Sequence, residues 1–165
     1  MDMKASKMAL LALSITLAMI LSFVESQIPA LIAIPGVKVG LANIVVVFAL
    51  YKLGWKEAAV ISLTRVFLVG LLFGNGVSLL YSAVGAAVSF AGMVLLKNTK
   101  VFSYTAVSVV GGVLHNMGQI GMACILMGTD LLKYYAPFLV LSGTLAGIVI
   151  GLLAAIMVKR IDLKV

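Results

Sequence analysis

The sequence contains few charged residues and very few acids. Of its 165 residues, 10% are charged, with 12 Lys and Arg against 5 Asp and Glu, and 64% are hydrophobic. Soluble domains carry roughly 25% charged residues, so this composition excludes an ordinary soluble domain. The mean hydropathy of +1.26 points the same way. We therefore predict an all-α polytopic membrane protein that forms a single domain.

The scarcity of acids and cysteines also limits which disulfides, metal sites and catalytic sites the chain can form. Cys124 is the only cysteine, which excludes an internal disulfide and a thiolate metal cluster. No group of His, Cys, Asp and Glu residues has metal-site spacing, and no pair of acids is placed to hold the ions of two-metal diphosphate chemistry. A G-x-x-x-x-G-K-[ST] motif is missing as well. We expect neither a bound metal or cofactor nor enzymatic activity. The five acids are Asp2, Glu25, Glu57, Asp130 and Asp162.

Six apolar runs are separated by polar or glycine-containing segments. A membrane-spanning helix needs about 20 mostly apolar residues. The predicted spans cover residues 8–24, 41–53, 58–73, 77–96, 104–127 and 136–158. The first run is longer than the apolar core of a signal peptide, so we predict that it is retained as a helix. The second is short, which predicts that one of its ends is buried in protein.

The basic residues outside the spans lie mostly on one side of the predicted membrane. Nine share the side of the N-terminus, whereas only Lys38 and Lys133 lie on the other. The positive-inside rule therefore places both termini in the cytoplasm. Because these bases are spread between apolar runs, topology accounts for the net charge of +7, and we expect no nucleic-acid partner.

Small residues in span six predict close helix packing. Gly143, Gly147 and Gly151 repeat every four residues and therefore share one face, where helix backbones can approach each other. This face is either a packing seam within the chain or a docking surface for another subunit.

Polar side chains interrupt two of the spans. Arg65 lies near the middle of span three, where a charge costs at least about 2.5–3.5 kcal/mol on insertion scales. His115 and Gln119 share one face of span five because they are four residues apart, and Asn116 lies beside them. Intramembrane ionisable residues are candidates for functional sites.

Three further polar residues lie near the outer ends of the first two spans. Glu25 ends span one, Lys38 precedes span two and Asn43 begins it. If the bundle folds compactly, all seven polar residues converge in its outer half and form a binding cavity. Alternatively, Arg65 pairs with Glu25, and Asn43 caps span two. The remaining alternatives are a backbone hydrogen bond for His115, helix–helix contacts for Asn116 and Gln119, and solvation of Glu25 and Lys38.

The charge of this cavity predicts the chemistry of its ligand. The bases Arg65 and Lys38, with His115 when it is protonated, outweigh Glu25. We therefore expect a ligand with a carboxylate or phosphate group, which the planar guanidinium binds through two hydrogen bonds. The walls are expected to be apolar and Met-rich, with Phe73, Tyr81 and Met117 as candidates.

Three stretches resemble one family of small bacterial membrane proteins. They read "IPGVKVGLANIVVVFAL", "LTRVFLVGLLFGNG" and "GGVLHNMGQ". The family is heptaprenyl diphosphate synthase component I, also labelled Gx transporter. The overall helix arrangement of this family is similar to that of the substrate-binding S components of energy-coupling factor (ECF) transporters. That similarity implies a bacterial cell membrane location, six helices, cytoplasmic termini and an outward-facing site.

The resemblance implies two hypotheses of function. In the first, the chain is an S component that captures a solute and works with a membrane coupling subunit and two cytosolic ATPases. Small residues of the first helix would then dock the coupling subunit. In the second, it is a noncatalytic membrane partner of a prenyl diphosphate synthase in isoprenoid-quinone synthesis. The docking candidates are Ala5, Ala9, Ser14 and Ala18.

Overall fold

Six α-helices make up the computed structural model of the protein. The structure describes residues 3–27 and 40–163, and this part of the chain contains no strand. The all-α prediction is therefore confirmed over these residues. The helices are α1 (Met3–Gln27), α2 (Asn43–Lys52), α3 (Trp55–Phe73), α4 (Gly76–Thr99), α5 (Tyr104–Met127) and α6 (Leu131–Arg160).

Four of the six helices contain a segment long and apolar enough to cross a membrane. These segments are Ser6–Gln27, Gly76–Thr99, Tyr104–Met127 and Tyr134–Arg160. The helix α3 carries Lys56, Glu57 and Arg65 within its 19 residues, and α2 has only 10 residues. Six full spans and cytoplasmic termini therefore stay predictions, whereas a protein with several apolar helices of membrane-spanning length is confirmed.

The short helix α2 lies at the centre of the bundle. Its residues from Val45 to Leu50 are all buried, and α2 contacts α1, α3 and α6. At 1.5 Å per residue it is about 15 Å long, half the thickness of the hydrocarbon core. Neighbouring helices, rather than lipid, therefore surround most of its apolar side chains. The burial of α2 agrees with the prediction that the short second span has an end buried in protein.

The glycines of span six form an intramolecular seam. A Cβ atom on Gly143 would lie 2.9 Å from the backbone of Gly112, and one on Gly147 would lie 2.5 Å from Val109 Cα. Gly151 is equally close to Thr105. Since these contacts are with α5, the seam joins α5 to α6, and the prediction of packing within the chain is confirmed.

Basic residues collect at one end of the bundle, which we call the basic end. It is formed by the starts of α1, α3 and α5 and the ends of α2, α4 and α6. Lys7 Nζ lies 2.5 Å from Glu57 Oε1 and joins α1 to α3. Lys97 Nζ donates a hydrogen bond to the carbonyl oxygen of Leu50 and joins α4 to α2. The described basic residues at this end are Lys7, Lys52, Lys56, Lys97, Lys100, Lys159 and Arg160.

The opposite end, which we call the cavity end, includes the turn between α3 and α4. Asn75 is the N-cap of α4: its side chain accepts a hydrogen bond from the Ser78 backbone N–H, and the Ser78 hydroxyl accepts one from the Asn75 N–H. This reciprocal capping box satisfies two donors that a helix start leaves unpaired. At the same end, the rings of Phe23 and Phe73 lie 5.2 Å apart and join α1 to α3.

Candidate functional site

A large cavity lies between four helices at the cavity end of the bundle. We call it the outer cavity. Its volume is about 410 Å³, within the range of small-molecule sites. Arg65, His115 and Gln119 line it together with Glu25, so the structure brings these predicted residues together. The other lining residues are Ser22, Ser26, Val66, Val69, Gly70, Phe73, Gly74, Asn75, Ser78 and Ser82.

A second, smaller cavity is also lined by Arg65 and His115. We call it the inner cavity, and its volume is about 50 Å³. It lies among α2, α3, α5 and α6, and Asn43 and Asn116 line it. The other lining residues are Gly40, Ser108, Gly112, Gly143, Ala146, Gly147 and Ile150. Arg65 and His115 thus stand between the two cavities.

Among the described residues, Arg65 interacts electrostatically with Glu25 but forms no direct salt bridge. No ion pair joins its guanidinium to a described carboxylate, and its buried Nε atom has no hydrogen-bond partner. A buried donor without a partner costs roughly 1–3 kcal/mol, and more when it is charged. This cost falls if an anionic ligand accepts the bond. The unsatisfied Nε atom therefore supports a binding role.

Glu25 lines the outer cavity, but it forms no direct salt bridge with Arg65. Its Oε1 atom accepts a hydrogen bond from the Gly40 backbone N–H. This bond links the end of α1 to the residues that lead into α2. A direct Arg65–Glu25 salt bridge is thus not present among the described residues, although the two side chains line the same cavity and interact electrostatically.

His115 and Gln119 pack against a glycine of α4. A Cβ atom on Gly85 would lie 2.7 Å from Gln119 Cγ and 2.8 Å from the His115 carbonyl oxygen. Because Gly85 has no side chain, α5 approaches α4 closely enough for both residues to line the outer cavity. A larger residue at position 85 would displace them.

Asn116 has a structural role in the bundle. It is 5% exposed, and its Nδ2 atom donates to the carbonyl oxygen of Leu139 at 3.1 Å and to Ser142 Oγ at 3.2 Å. Both partners belong to α6, so Asn116 joins α5 to α6. Asn116 also lines the inner cavity. The helix–helix contact, which was predicted as the alternative to ligand binding for this residue, is therefore present.

Asn43 and Lys38 are the two remaining residues of the predicted site. The N-cap of α2 is Ala42, which makes no side-chain capping hydrogen bond, so Asn43 does not cap this helix. It lines the inner cavity instead. Lys38 lies outside the described residues.

The chain matches the family model of heptaprenyl diphosphate synthase component I over residues 14–157. It belongs to this family. The match covers all of the residues that line the two cavities. No curated protein and no solved structure matches the chain. The family assignment favours the hypothesis of a synthase component over that of an ECF transporter subunit.

The walls of the outer cavity in this component I protein differ from the prediction. Phe73 lines the cavity, but Tyr81 and Met117 line neither cavity, and no methionine is among the lining residues that the structure describes. The Met-rich wall was therefore wrong. Four serines are present instead, at positions 22, 26, 78 and 82. Serines were overlooked because a hydroxyl barely lowers the hydropathy of an apolar run. Their clustering near the ends of spans was the only signal.

The predicted docking ridge of this family member does not form one outward surface. Ala18 is fully buried and belongs to the core, and Ser14 is 6% exposed. Ala9 is exposed, and the side chain of Ala5 is outside the described set. Ser14 and Ala18 contact the protein's own helices because their spacing of four residues places them on the inner face of α1. A docking role for the ridge stays a prediction.

Metal binding has no obvious location in the described part of this component I chain. No group of three or more His, Cys, Asp or Glu side chains is arranged there to hold an ion. The described polar groups at the cavities are a guanidinium, amides, an imidazole and hydroxyls, together with the single carboxylate of Glu25 in the outer cavity. Such donors suit an anion better than a cation.

Proposed function

We propose that the chain is a noncatalytic, membrane-embedded component of a prenyl diphosphate synthase system, and that it binds an anionic amphiphile at Arg65. The family assignment supports the link to the synthase. The observation that carries the binding role is the buried Arg65 Nε atom, which lacks a hydrogen-bond partner and lies between two cavities.

The proposal of a noncatalytic role rests on the acids. Metal-assisted transfer of a diphosphate needs carboxylates that hold the ions. Glu25 is at the cavity end, and Glu57 is bound to Lys7 at the basic end. Glu25 is the only acid among the described residues that line the two cavities. This arrangement supports a subunit that holds a ligand while a partner performs the chemistry.

The two kinds of surface in the outer cavity suit a ligand with two chemically different parts. Val66, Val69 and Phe73 supply apolar wall, and Arg65 supplies positive charge. The apolar body of the ligand would lie against α3, with its anionic group at the guanidinium. A prenyl chain with a phosphate end has this chemistry.

A second candidate function is solute capture by an importer of the ECF type. The position of the outer cavity favours it, because the cavity lies at the end opposite the basic end. Under the positive-inside rule that end faces away from the cytoplasm. A ligand captured there would come from outside or from the outer leaflet, whereas a synthase partner would act at the basic end.

Purified protein in lipid nanodiscs tests the binding role. Native mass spectrometry would identify retained small molecules, and titrations would use farnesyl diphosphate, farnesyl monophosphate and farnesol. We expect Arg65→Gln to weaken binding of the phosphates about 10- to 100-fold, as for a hydrogen bond to a charged group, and to leave farnesol binding unchanged. Lys159→Gln, at the exposed basic end, is the control. Equal binding by wild type and Arg65→Gln would refute the role of Arg65.

The two candidate functions predict different partners. The synthase proposal predicts that a cytosolic prenyl diphosphate synthase co-purifies with the chain and that its product yield depends on the chain. The importer proposal predicts co-purification with a coupling subunit and ATPases, and ligand uptake that requires ATP. Uptake without any effect on prenyl synthesis would replace the first proposal with the second.

A further inference from the structure

The inner cavity contains two buried polar atoms without partners. Arg65 Nε and Ser108 Oγ are both buried, and neither has a hydrogen-bond partner. Ser108 is 1% exposed, and both residues line the inner cavity. Buried polar atoms are nearly always hydrogen-bonded in native proteins. Two exceptions on one small cavity therefore indicate a missing hydrogen-bond acceptor.

The Ser108 hydroxyl makes no hydrogen bond to a described residue, in contrast to the hydroxyls of Thr16, Ser89 and Thr144. Hydroxyls within helices commonly donate to a backbone carbonyl one turn earlier, as Thr16 does to Ala12 and Thr144 does to Val140. Ser89 is also buried, and it donates across to the Gly111 carbonyl oxygen at 2.7 Å. Ser108 makes no such bond, so its hydroxyl is available to a group inside the inner cavity.

The size of the inner cavity limits what it can hold. Its walls consist largely of backbone and small side chains, including Gly112, Gly143, Gly147 and Ala146. A site for one water needs about 10–15 Å³, so a volume of about 50 Å³ holds roughly three to five heavy atoms. A carboxylate or a single phosphate group has this size, whereas a whole diphosphate is larger.

The charge of the inner cavity selects an anion. Arg65 is positive, and none of the described lining residues is acidic. The amide of Asn43 adds a further polar group at the wall. Hydrogen bonds from an ionised donor to an anion are about twice as strong as those between neutral groups. The inner cavity therefore fits a compact anion better than a neutral group of the same size.

We infer that the inner cavity receives the compact anionic end of the ligand, a carboxylate or one phosphate group, with Arg65 Nε–H and Ser108 Oγ–H as donors. The apolar body of the same ligand lies in the outer cavity. This inference rests on the proposed binding role and makes it more specific. A ligand with a single terminal anionic group should bind better than its diphosphate counterpart.

The test compares three probes on the protein in nanodiscs: farnesyl monophosphate, farnesyl diphosphate and farnesol. We expect the monophosphate to bind most tightly. Ser108→Ala should weaken its binding about tenfold through the lost hydrogen bond and leave farnesol binding unchanged. Thr16→Ala, which removes a hydroxyl from an exposed face of α1 away from both cavities, is the control and should change neither affinity appreciably.

A second variant fills the inner cavity. Ala146→Leu should weaken monophosphate binding by more than tenfold, because the added side chain occupies the space of the anionic group. Farnesol should still bind. Ala91→Leu adds the same side chain on an exposed face of α4 and should bind the monophosphate like wild type. Thermal unfolding of each variant verifies folding, and Ser108→Ala provides the answer if Ala146→Leu does not fold.

The outcomes separate this inference from the proposal on which it rests. If the wild type binds the monophosphate and both inner-cavity variants bind it equally well, the inner cavity holds water only and the inference is refuted. The same conclusion follows if the diphosphate binds better than the monophosphate. If the wild type binds none of the three probes, the proposed binding role itself fails.

Discussion

Arg65 and Glu25 line the same cavity without forming a salt bridge. The Glu25 carboxylate accepts a hydrogen bond from the Gly40 N–H instead, and Arg65 Nε has no partner among the described residues. An arginine with a purely structural role would be expected to form a salt bridge with a nearby carboxylate, because an unpaired buried charge is costly. The separation of these two residues therefore supports a ligand as the missing partner. It also predicts that Arg65→Gln is at least as stable as wild type without ligand.

The two amides of span five should respond differently to substitution. Asn116→Leu removes two hydrogen bonds to α6 and should lower the free energy of unfolding by about 1–3 kcal/mol. Gln119→Leu affects a residue that lines the outer cavity and should weaken ligand binding with little change in stability. Thermal unfolding and probe titration of both variants measure the contrast. A loss of binding in Gln119→Leu that only mirrors a loss of stability would contradict it.

The seam between α5 and α6 should tolerate no added methyl group. In Gly147→Ala, the new Cβ would lie 2.5 Å from Val109 Cα, a backbone atom that cannot rotate away. We expect a destabilisation of about 1–3 kcal/mol, typical of overpacking. Gly121→Ala is the matched control, since its Cβ would meet nothing within 4 Å. Alanine is the better helix former, so this control should be at least as stable as wild type.

Glu57 should give the stability a small pH dependence. The hydrogen bond from Lys7, together with one from a backbone N–H at the start of α3, lowers the pKa of the Glu57 carboxyl below its ordinary value. A lowered pKa contributes stability above the pKa of the unfolded chain, and this contribution is lost as the pH falls through the folded-state pKa. Because Lys7 is 47% exposed, the contribution is below about 1 kcal/mol.

The comparison of wild type with Glu57→Gln isolates this contribution. Wild type should be slightly more stable at pH 7, and the difference should shrink as the pH falls below about 4.5, the ordinary pKa of the group. Added salt at pH 7 should shrink it as well, since exposed charges are screened. A difference that is independent of both pH and salt would show that the Lys7–Glu57 pair contributes nothing.

Cysteine labelling tests the predicted orientation. Cys124 is the only cysteine, so Cys124→Ser provides a cysteine-free background. We expect Asn75→Cys, at the cavity end, to react with a membrane-impermeant maleimide in intact cells. Lys100→Cys, at the basic end, should react only after the membrane is opened. Both positions are exposed, so burial does not confound the comparison. The reverse pattern would contradict the positive-inside assignment.

Much of the fold could be predicted because membrane helices are specified by long local patterns. The predicted second span, residues 41–53, corresponds to α2 at Asn43–Lys52, and the predicted fifth span has the same bounds as α5. The glycine repeat in span six also specified which face of α6 packs closely. The hydropathy of a run does not show whether lipid or protein surrounds it, so the central position of α2 had to come from the structure.

The site was less predictable, because its residues are distant in sequence. Polar residues inside apolar runs indicated Arg65, His115 and Gln119, and these three line one cavity in the structure. The same signal did not distinguish Asn116, whose amide binds α6, from Gln119, whose amide lines the outer cavity. Ser108 was missed because a single hydroxyl in a helix has many local acceptors. Only the packing around it shows that none is used.

The sequence by itself determined an all-helical membrane protein, its family, and a charged residue in an apolar helix that needs an explanation. These properties depend on composition and on local spacing, which the folded structure does not alter. The tertiary structure decided that Glu25 binds Gly40 rather than Arg65, and that one guanidinium stands between a large cavity and a small one. Pairing and cavity shape depend on how the helices approach each other, and short stretches of sequence do not specify that approach.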